Sequence, residues 1–452
     1  MGFCKDFLWG AATSAYQIEG ACREEGKADS IWDVFCRVPG KIDGRQTGNV
    51  ACDHYHRFRE DVALMKKLGI RAYRFSISWP RILPEGTGFV NEAGLRFYEK
   101  LVDELLKNGI RPFATLFHWD FPAALQRQGG WLNPDSPLWF EEYARVVAKR
   151  FRGKIRDYFT MNEPQCFIGL GYGRGEHAPG LTLPRNNLAI AVHHVLLAHG
   201  RAVRALRQFG GDGLQIGMAQ CGKIWMPAEE TPRDIEAARA ATFSVPESVH
   251  DALFSVPLWS DPVMKGTYPP EYLRRFEGCL PKITEEDMRL IHQPVDFYAQ
   301  NLYHALPVEA CGSGWKTRPF PDGCVRTSIG WPVTPDAPYW AARFLYEAYG
   351  KPIVFSENGM SAHDTVSPDG KVHDPDRIDY LRRYLLSLRR AARGGVPLTA
   401  YFLWSLMDNF EWTYAYRERF GLIYVDYATQ KRIPKDSAYW YRSVILNNGE
   451  NL

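Results

Sequence analysis

The sequence predicts an α/β protein, a single (β/α)8 TIM barrel with long βα loops, on three observations. Short apolar, β-rich runs alternate along the chain with amphipathic segments of helical period. Several helical patterns end in Gly directly before the next strand, as in LGI at 68–70 and NGI at 108–110, which is typical of αβ loops. No strand is followed by a glycine-rich phosphate motif such as GxGxxG, which disfavours the alternative, an open doubly wound sheet.

The period of the apolar residues predicts the individual elements. Buried parallel strands are expected at 7–12, 72–78, 112–117, 158–161, 215–219, 297–303, 353–356 and 398–404. Helices are expected at 56–68, 92–108, 139–150, 189–208, 337–349 and 377–393. Two stretches rich in Pro and Gly, 223–293 and 305–335, are expected to be long loops or insertions over one face of the barrel. We therefore expect residues 1–452 to form one catalytic domain.

Composition and charge disfavour several classes of function. Hydrophobic residues make up 45% and charged residues 24%, and the formal net charge is only +3 without a long Lys/Arg run. Because this charge offers no basic surface for a phosphate backbone, we expect no nucleic acid as partner. No apolar run approaches the roughly 20 residues that span a bilayer, so we expect no membrane as partner either. The nine Cys show no paired short spacing and no secretory leader is evident, so a cytoplasmic location is expected.

Histidines clustered in the sequence invite a test for a metal site. His54 and His56 lie beside Asp53, and His193 is next to His194. Neither an HExxH motif nor a Cys-pair spacing accompanies them. We expect these histidines to be structural, and we expect no metal and no cofactor.

Two predicted strands end in a glutamate. In TMNEP (160–164) the strand reaches Glu163 and Pro then stops the pairing, and in IVFSENG (353–359) the strand reaches Glu357 before a Gly. Catalytic residues of such barrels lie at the carboxyl ends of the strands, although a salt-bridged structural Glu is an alternative for each. Two carboxyl groups suit acetal cleavage, because one protonates the leaving oxygen while the other attacks or screens the anomeric carbon.

Further blocks make the chain resemble glycoside hydrolase family 1, the family of β-glucosidases, over essentially its whole length. They are FLWG (7–10), ATSAYQIEG (12–20), YRFSISW (73–79), LFHWD (116–120) and WSLMDNFEW (404–412), in that order. The resemblance implies a retaining mechanism with Glu163 as general acid/base and Glu357 as nucleophile. Retention in turn implies carboxyl groups about 5 to 5.5 Å apart.

The resemblance also assigns the supporting residues. Arg74, Asn162, Asn301 and Tyr303 are expected to support the carboxyl groups. The residues expected to bind substrate are Gln17, His118, Trp119, Trp331, Trp404, Glu411, Trp412 and Phe420. Around Tyr303, in QNLYH (300–304), the chain departs from the family pattern, with Leu302 in place of an aromatic residue and His304 in place of a small hydroxyl residue. Cys166 and His177 are expected near the entrance, without an assigned role.

The expected substrates are small β-glucosides or cello-oligosaccharides, which also suggests a part in cellulose degradation. A carboxylate at Glu411 facing O4 and O6 of the sugar would repel a 6-phosphate, so unphosphorylated sugars are favoured. The alternatives are a 6-phospho-β-glycosidase, a non-catalytic sugar-binding barrel and a metal-dependent hydrolase. Glucose, galactose and fucose remain open as the glycone, as do the aglycone and the oligomeric state.

Overall fold

A closed barrel of eight parallel strands forms the centre of the computed structural model, which describes residues 2–452. The strands are β1 (Leu8–Ala12), β2 (Ala72–Ser76), β3 (Arg111–Phe117), β4 (Asp157–Asn162), β5 (Gln215–Gln220), β6 (Tyr298–Asn301), β7 (Ile353–Asn358) and β8 (Leu398–Trp404). Each strand pairs with the next in sequence, and β8 closes the barrel on β1. The predicted (β/α)8 fold is confirmed.

Helices connect consecutive strands, as the alternation predicted. The principal ones, in chain order, are His54–Lys67, Glu92–Lys107, Ser136–Arg150, Arg185–Phe209, Glu285–Ile291, Ala337–Tyr349, Pro375–Arg393 and, after β8, Asp436–Leu446. Gly69 and Gly109 follow two of these helices at φ +72° and +70°, a left-handed conformation that Gly adopts without steric cost. The glycine signals in the sequence therefore marked true helix ends.

The stretches 223–293 and 305–335, expected to be long loops or insertions, contain regular secondary structure that the sequence analysis did not assign. The first stretch contains helices at Pro232–Thr242, Val249–Ala252, Val256–Lys265, Pro270–Arg275 and Glu285–Ile291. Strands Trp225–Pro227, Leu306–Cys311 and Gly314–Thr317 form a small sheet outside the barrel. Several of the prolines lie in first turns, as in the helix capped by Thr231, where a missing N–H removes no hydrogen bond.

The loops contain shorter helices and a hairpin. The short α-helices are Ala15–Ile18, Ile31–Phe35, Trp79–Ile82, Ala123–Gln126 and Pro164–Ile168. The 3-10 helices are Glu24–Gly26, Asp43–Arg45, Gly130–Leu132 and Trp412–Tyr414, and Gly169–Gly173 is a π-helix. An antiparallel hairpin, Ile423–Asp426 with Lys431–Pro434, follows β8. Most of these elements follow the carboxyl ends of strands, where they build the walls of a bowl.

Phenylalanine rings fill the barrel interior beneath that bowl. Phe113, Phe159 and Phe402 lie together with small residues of neighbouring strands in one buried cluster. Gly10 in β1 leaves room for this packing, because a Cβ there would lie 2.5 Å from the Phe402 ring. The barrel is thus a packed core and not a pore, and it gives the strand ends above it a rigid base.

We propose that the chain forms one domain, as expected from the sequence. The first barrel strand pairs with the last, and the indole N–H of Trp9 donates to Asn448 Oδ1 at 2.9 Å. The two ends of the chain therefore contribute to one core. Within residues 2–452, no helix has both the length and the apolar character needed to cross a membrane.

Candidate active site

A cavity of about 1090 Å³ opens at the carboxyl ends of the barrel strands. It brings both predicted glutamates into one space, Glu163 directly after β4 and Glu357 within β7. Ten of the predicted site residues line it: His118, Trp119, Glu163, Asn301, Tyr303, Trp331, Glu357, Trp404, Glu411 and Trp412. The other four, Gln17, Arg74, Asn162 and Phe420, contact these residues from behind.

Glu357 is held by a cation and a phenol. Arg74, fully buried on β2, donates from Nη1 to Glu357 Oε1 at 2.5 Å, and the hydroxyl of Tyr303 donates to Oε2 at 2.7 Å. Burial raises the pKa of Glu357, while Arg74 and Tyr303 oppose that rise by stabilising the charged form. The geometry fits a carboxylate that stays ionised in a buried site.

Glu163 has no such cation in direct contact. Its Oε1 accepts a hydrogen bond from Asn301 Nδ2 at 2.8 Å. Burial and, after it, the nearby Glu357 raise the pKa of Glu163 to about 8. Burial raises the pKa of both carboxyl groups, but only Glu357 has a cation and a phenol in direct contact that stabilise its charged form, which favours keeping the proton of the pair on Glu163.

The backbone at Glu163 is itself unusual. Its φ is +50°, a left-handed conformation in which a residue other than Gly, Asn or Asp is uncommon. The strain is held by a backbone hydrogen bond from Glu163 N to Ala219 O of β5 at 2.8 Å, and by Pro164, which begins a short helix. Such strained residues concentrate at functional sites, and here the turn carries the carboxyl group into the cavity.

Two asparagines tie the carboxyl groups into one network. Asn162 Oδ1 accepts from Arg74 Nη2 at 2.5 Å and from Asn301 Nδ2 at 3.0 Å. Asn301 thus bridges Glu163 and Asn162, while Ser356 Oγ donates to Asn301 Oδ1 at 2.6 Å. Strands β2, β4, β6 and β7 each contribute a residue to this network. A shift of one strand end would therefore change the hydrogen bonds of both carboxyl groups.

Aromatic faces form the floor and wall of the cavity. Trp119 and Trp412 lie with ring centroids 4.5 Å apart, and His118 stacks on Trp404 at 5.8 Å. Burial and then Arg74 lower the pKa of His118 well below its usual value, so its ring is neutral. At the outer side Trp331 packs on Tyr303 at 4.9 Å. Flat apolar faces beside polar groups suit the faces and hydroxyls of a sugar ring.

Glu411 lies in a negative environment. Its Oε2 accepts from Gln17 Nε2 at 3.3 Å, and Gln17 is fully buried behind the cavity wall. Burial, followed by Glu357, Glu163 and Glu418, raises the pKa of Glu411 to about 8. Three neighbouring carboxyl groups therefore disfavour any further negative charge at this position.

The clustered histidines have hydrogen-bonding partners within the protein. His54 Nδ1 bonds Asp61 at 2.7 Å, His56 bonds Asp53 at 2.6 Å and His194 bonds the Trp131 carbonyl at 2.9 Å. His193 pairs with Tyr268 at 2.9 Å. Each of these rings therefore makes at least one hydrogen bond within the protein, and a structural role for them stays a prediction.

The sequence missed a pair of cavity cysteines. Cys166 was expected near the entrance, but its partner Cys221 was not singled out, and the two Sγ atoms lie 3.4 Å apart beside Glu163. They are 55 residues apart in sequence, so no motif spacing marks them. The only available signal was topological, because they follow the neighbouring strands β4 and β5.

Two buried carboxyl groups with different direct partners, at the mouth of a barrel lined by aromatic faces, are typical of a glycoside hydrolase. Comparison with known proteins gives the family. The model of glycosyl hydrolase family 1 matches residues 1–450. The chain is 46% identical to β-glucosidase A of Acetivibrio thermocellus over 99% of both chains, and 43% identical to β-glucosidase A of Thermotoga maritima over 99% of this chain and 98% of that one.

A solved structure agrees with these relatives. The β-glucosidase from Thermotoga maritima in complex with glucoimidazole superposes with a TM-score of 0.90 at 42% identity, covering 99% of both chains. The chain belongs to glycosyl hydrolase family 1. The resemblance seen in the sequence and the prediction of an enzyme of the β-glucosidase type are confirmed.

Proposed function

We propose that the chain is a retaining β-glucosidase that releases terminal non-reducing β-D-glucosyl residues from oligosaccharides or from aryl and alkyl glucosides. The asymmetry of the two carboxyl groups carries this proposal. Glu357 has a guanidinium at 2.5 Å, whereas the pKa of Glu163 is raised to about 8. An ionised nucleophile opposite a protonated acid is the starting state of double displacement.

In the first step the Glu357 carboxylate attacks the anomeric carbon while the Glu163 proton passes to the departing glycosidic oxygen. The product is a glycosyl ester on Glu357, and the aglycone leaves as an alcohol. Esterification removes the negative charge of Glu357, which had raised the pKa of Glu163. Glu163, now ionised, therefore takes a proton from water as the water attacks the ester, and this regenerates both groups.

Within this mechanism we assign Tyr303 and Arg74 to keeping Glu357 ionised and oriented, through the contacts described above. Asn162 and Asn301 position the pair. Trp404 supplies the floor for the sugar, and the expected contacts to sugar hydroxyls come from His118, Trp119, Glu411 and Trp412, with Gln17 holding Glu411 in place. Trp331, packed on Phe420 at 6.0 Å, faces the leaving aglycone.

The substrate is an unphosphorylated sugar. A 6-phosphate near Glu411 would enter a buried region that already contains several carboxyl groups. Burial and, after it, Glu357, Glu163 and Glu418 disfavour negative charge there, as the raised pKa of Glu411 indicates. A dianion there gains no compensating charge from Glu411 and would be bound unfavourably. Glucose is the proposed glycone, with β-galactosides and β-fucosides as secondary substrates and transglycosylation as a side reaction.

The proposed setting is cytoplasmic turnover of cello-oligosaccharides. All nine cysteines are free, which fits a reducing compartment. The cavity of about 1090 Å³ exceeds what one glucosyl unit needs, so it accommodates a saccharide aglycone. These two observations support a part in cellulose degradation after the polymer has been cut to short, soluble chains.

Two experiments test the function. The first compares kcat/KM for nitrophenyl β-glucoside, its 6-phosphate, β-galactoside and β-fucoside, together with cellobiose, gentiobiose and lactose. The glucoside is expected to be preferred, and a preference for the 6-phosphate would overturn the assignment of Glu411. The second is Glu357→Gln, which should abolish turnover of every substrate. Unchanged turnover in that variant would exclude Glu357 as nucleophile.

A further inference from the structure

Beside the expected acid/base Glu163 lie two thiols, which are soft metal ligands that the reaction does not use. Within residues 2–452, Glu163, Cys166 and Cys221 form the one group of three His, Cys, Asp or Glu side chains placed to hold a metal ion, with ligand atoms within 4.8 Å of one another. All three line the catalytic cavity. Both thiols are partly exposed, so an ion entering the cavity reaches them.

The framework around the thiols is fixed. Cys166 lies in the short helix that begins at Pro164, and Cys221 directly follows β5. The side chain of Gln165 joins the two segments, since its Oε1 accepts from Cys221 N at 3.3 Å. The Sγ atoms are therefore held 3.4 Å apart without a covalent bond, which would need about 2.05 Å.

This spacing fits chelation by a tetrahedral ion. With Zn–S bonds of about 2.3 Å, two thiolates in tetrahedral geometry lie about 3.8 Å apart, so the present separation requires an opening of only about 0.4 Å. A Glu163 oxygen supplies the third ligand, and the fourth position faces the open cavity, where water can occupy it. Two sulfurs and one oxygen select zinc-like, thiophilic cations over Mg²⁺ or Ca²⁺, which take oxygen ligands.

We propose that Glu163, Cys166 and Cys221 form a binding site for a thiophilic divalent cation such as Zn²⁺, and that occupation of the site inhibits the enzyme. Binding replaces the protons of both thiols and of Glu163, which pass to solvent as the three metal–ligand bonds form. Glu163 then has no proton to give to the leaving group. The inhibition, though not the binding, rests on the proposed role of Glu163.

Two cationic side chains near the site are already paired with carboxylates. Arg74 opposes a cation but is paired with Glu357, while Lys223 in the cavity wall is paired with Asp251 at 2.9 Å. The hydrogen bond with Cys221 lowers the pKa of Cys166, but burial and Glu163 outweigh it and raise that pKa to about 11. Burial also raises the pKa of Cys221.

Cobalt absorption tests binding without reference to activity. Reduced, metal-free full-length enzyme is titrated with Co²⁺, and a thiolate-to-cobalt charge-transfer band with tetrahedral ligand-field bands is expected. Cys221→Ser should abolish the two-thiolate spectrum, whereas Cys311→Ser, which removes an exposed thiol on the small sheet outside the barrel, should retain it. Glu163→Gln keeps both thiols and should retain the charge-transfer band with weaker affinity. Absence of the band in the wild type would overturn the proposal.

Zinc inhibition is then measured in the same proteins, each checked for native folding by its thermal unfolding transition. Cys221→Ser should raise the half-inhibiting Zn²⁺ concentration at least about tenfold, since even loss of an outer-shell partner costs that much affinity. Cys311→Ser should leave it unchanged, and EDTA should restore activity. Equal inhibition of Cys221→Ser and wild type would refute the site. A cobalt band that depends on Cys221 without any zinc inhibition would support the site but refute the role given to Glu163.

Discussion

Replacing Tyr303 by Phe removes one hydroxyl and tests how Glu357 is kept reactive. The hydroxyl donates to Glu357 Oε2 at 2.7 Å, and Arg74 remains on the other oxygen at 2.5 Å. A hydrogen bond to a charged group contributes about 1.5–3 kcal/mol, and each 1.4 kcal/mol corresponds to a factor of ten in rate. We therefore expect kcat/KM for nitrophenyl β-glucoside to fall roughly 10- to 150-fold.

The pH profile of the Tyr303→Phe enzyme gives an independent signature. The hydroxyl lowers the pKa of Glu357 by stabilising its charged form, so removing it raises that pKa further. Activity requires ionised Glu357, and so the acid limb of kcat/KM is expected to move to higher pH. A purely structural loss would lower the activity without moving this limb.

Tyr349→Phe is the matched control, because the Tyr349 hydroxyl donates to the Asp261 carboxylate at 2.9 Å and does not line the catalytic cavity. It loses the same kind of hydrogen bond, and its kcat/KM and pH profile should stay close to wild type. A folded Tyr303→Phe enzyme with kcat/KM within twofold of wild type and an unmoved acid limb would refute the reasoning.

Further predictions concern the acid/base and the packing behind the sugar floor. Because the pKa of Glu163 is raised to about 8, kcat/KM should decline as pH rises through that value. The Glu163→Gln enzyme should lose this basic limb when it is assayed with a dinitrophenyl glucoside, whose leaving group needs no proton. Added azide should restore turnover of this variant and give the β-glucosyl azide as product. An azide product of inverted configuration would contradict retention. Gly359→Ala places a Cβ 1.8 Å from the Trp404 carbonyl oxygen, so urea unfolding should show a loss of about 1–3 kcal/mol. Gly314→Ala, where the nearest atom is 3.9 Å away, is the control and should be neutral.

The barrel was predictable because its strands are buried on both faces. Such strands appear in the sequence as continuous apolar runs, and β3 and β8 were predicted to within one residue at each end. Helices of the insertions were missed because their prolines resemble loop signals, although the first turn of a helix tolerates Pro. Composition does not distinguish these two uses of proline.

The candidate site was predictable only in part. The strand-end glutamates were visible from the residues themselves, but their electrostatic difference was not. Arg74 and Glu357 are 283 residues apart, and their contact arises from barrel closure and not from any local pattern. Resemblance supplied that pairing, while the separation of about 5 to 5.5 Å between the carboxyl groups stays a prediction.

Predicted topology contains information that motif spacing lacks, and the cavity cysteines show how it is used. Cys166 lies three residues beyond Glu163 after β4, and Cys221 is the first residue after β5. Neighbouring parallel strands bring residues just past their carboxyl ends to the same rim, so this placement alone predicts proximity. Whether the pair serves as a ligand set then depends on side-chain direction, which the Sγ separation of 3.4 Å supplies. Two residues on this rim are therefore expected to lie close together when they follow neighbouring strands by a similar number of residues, however far apart they are in the sequence.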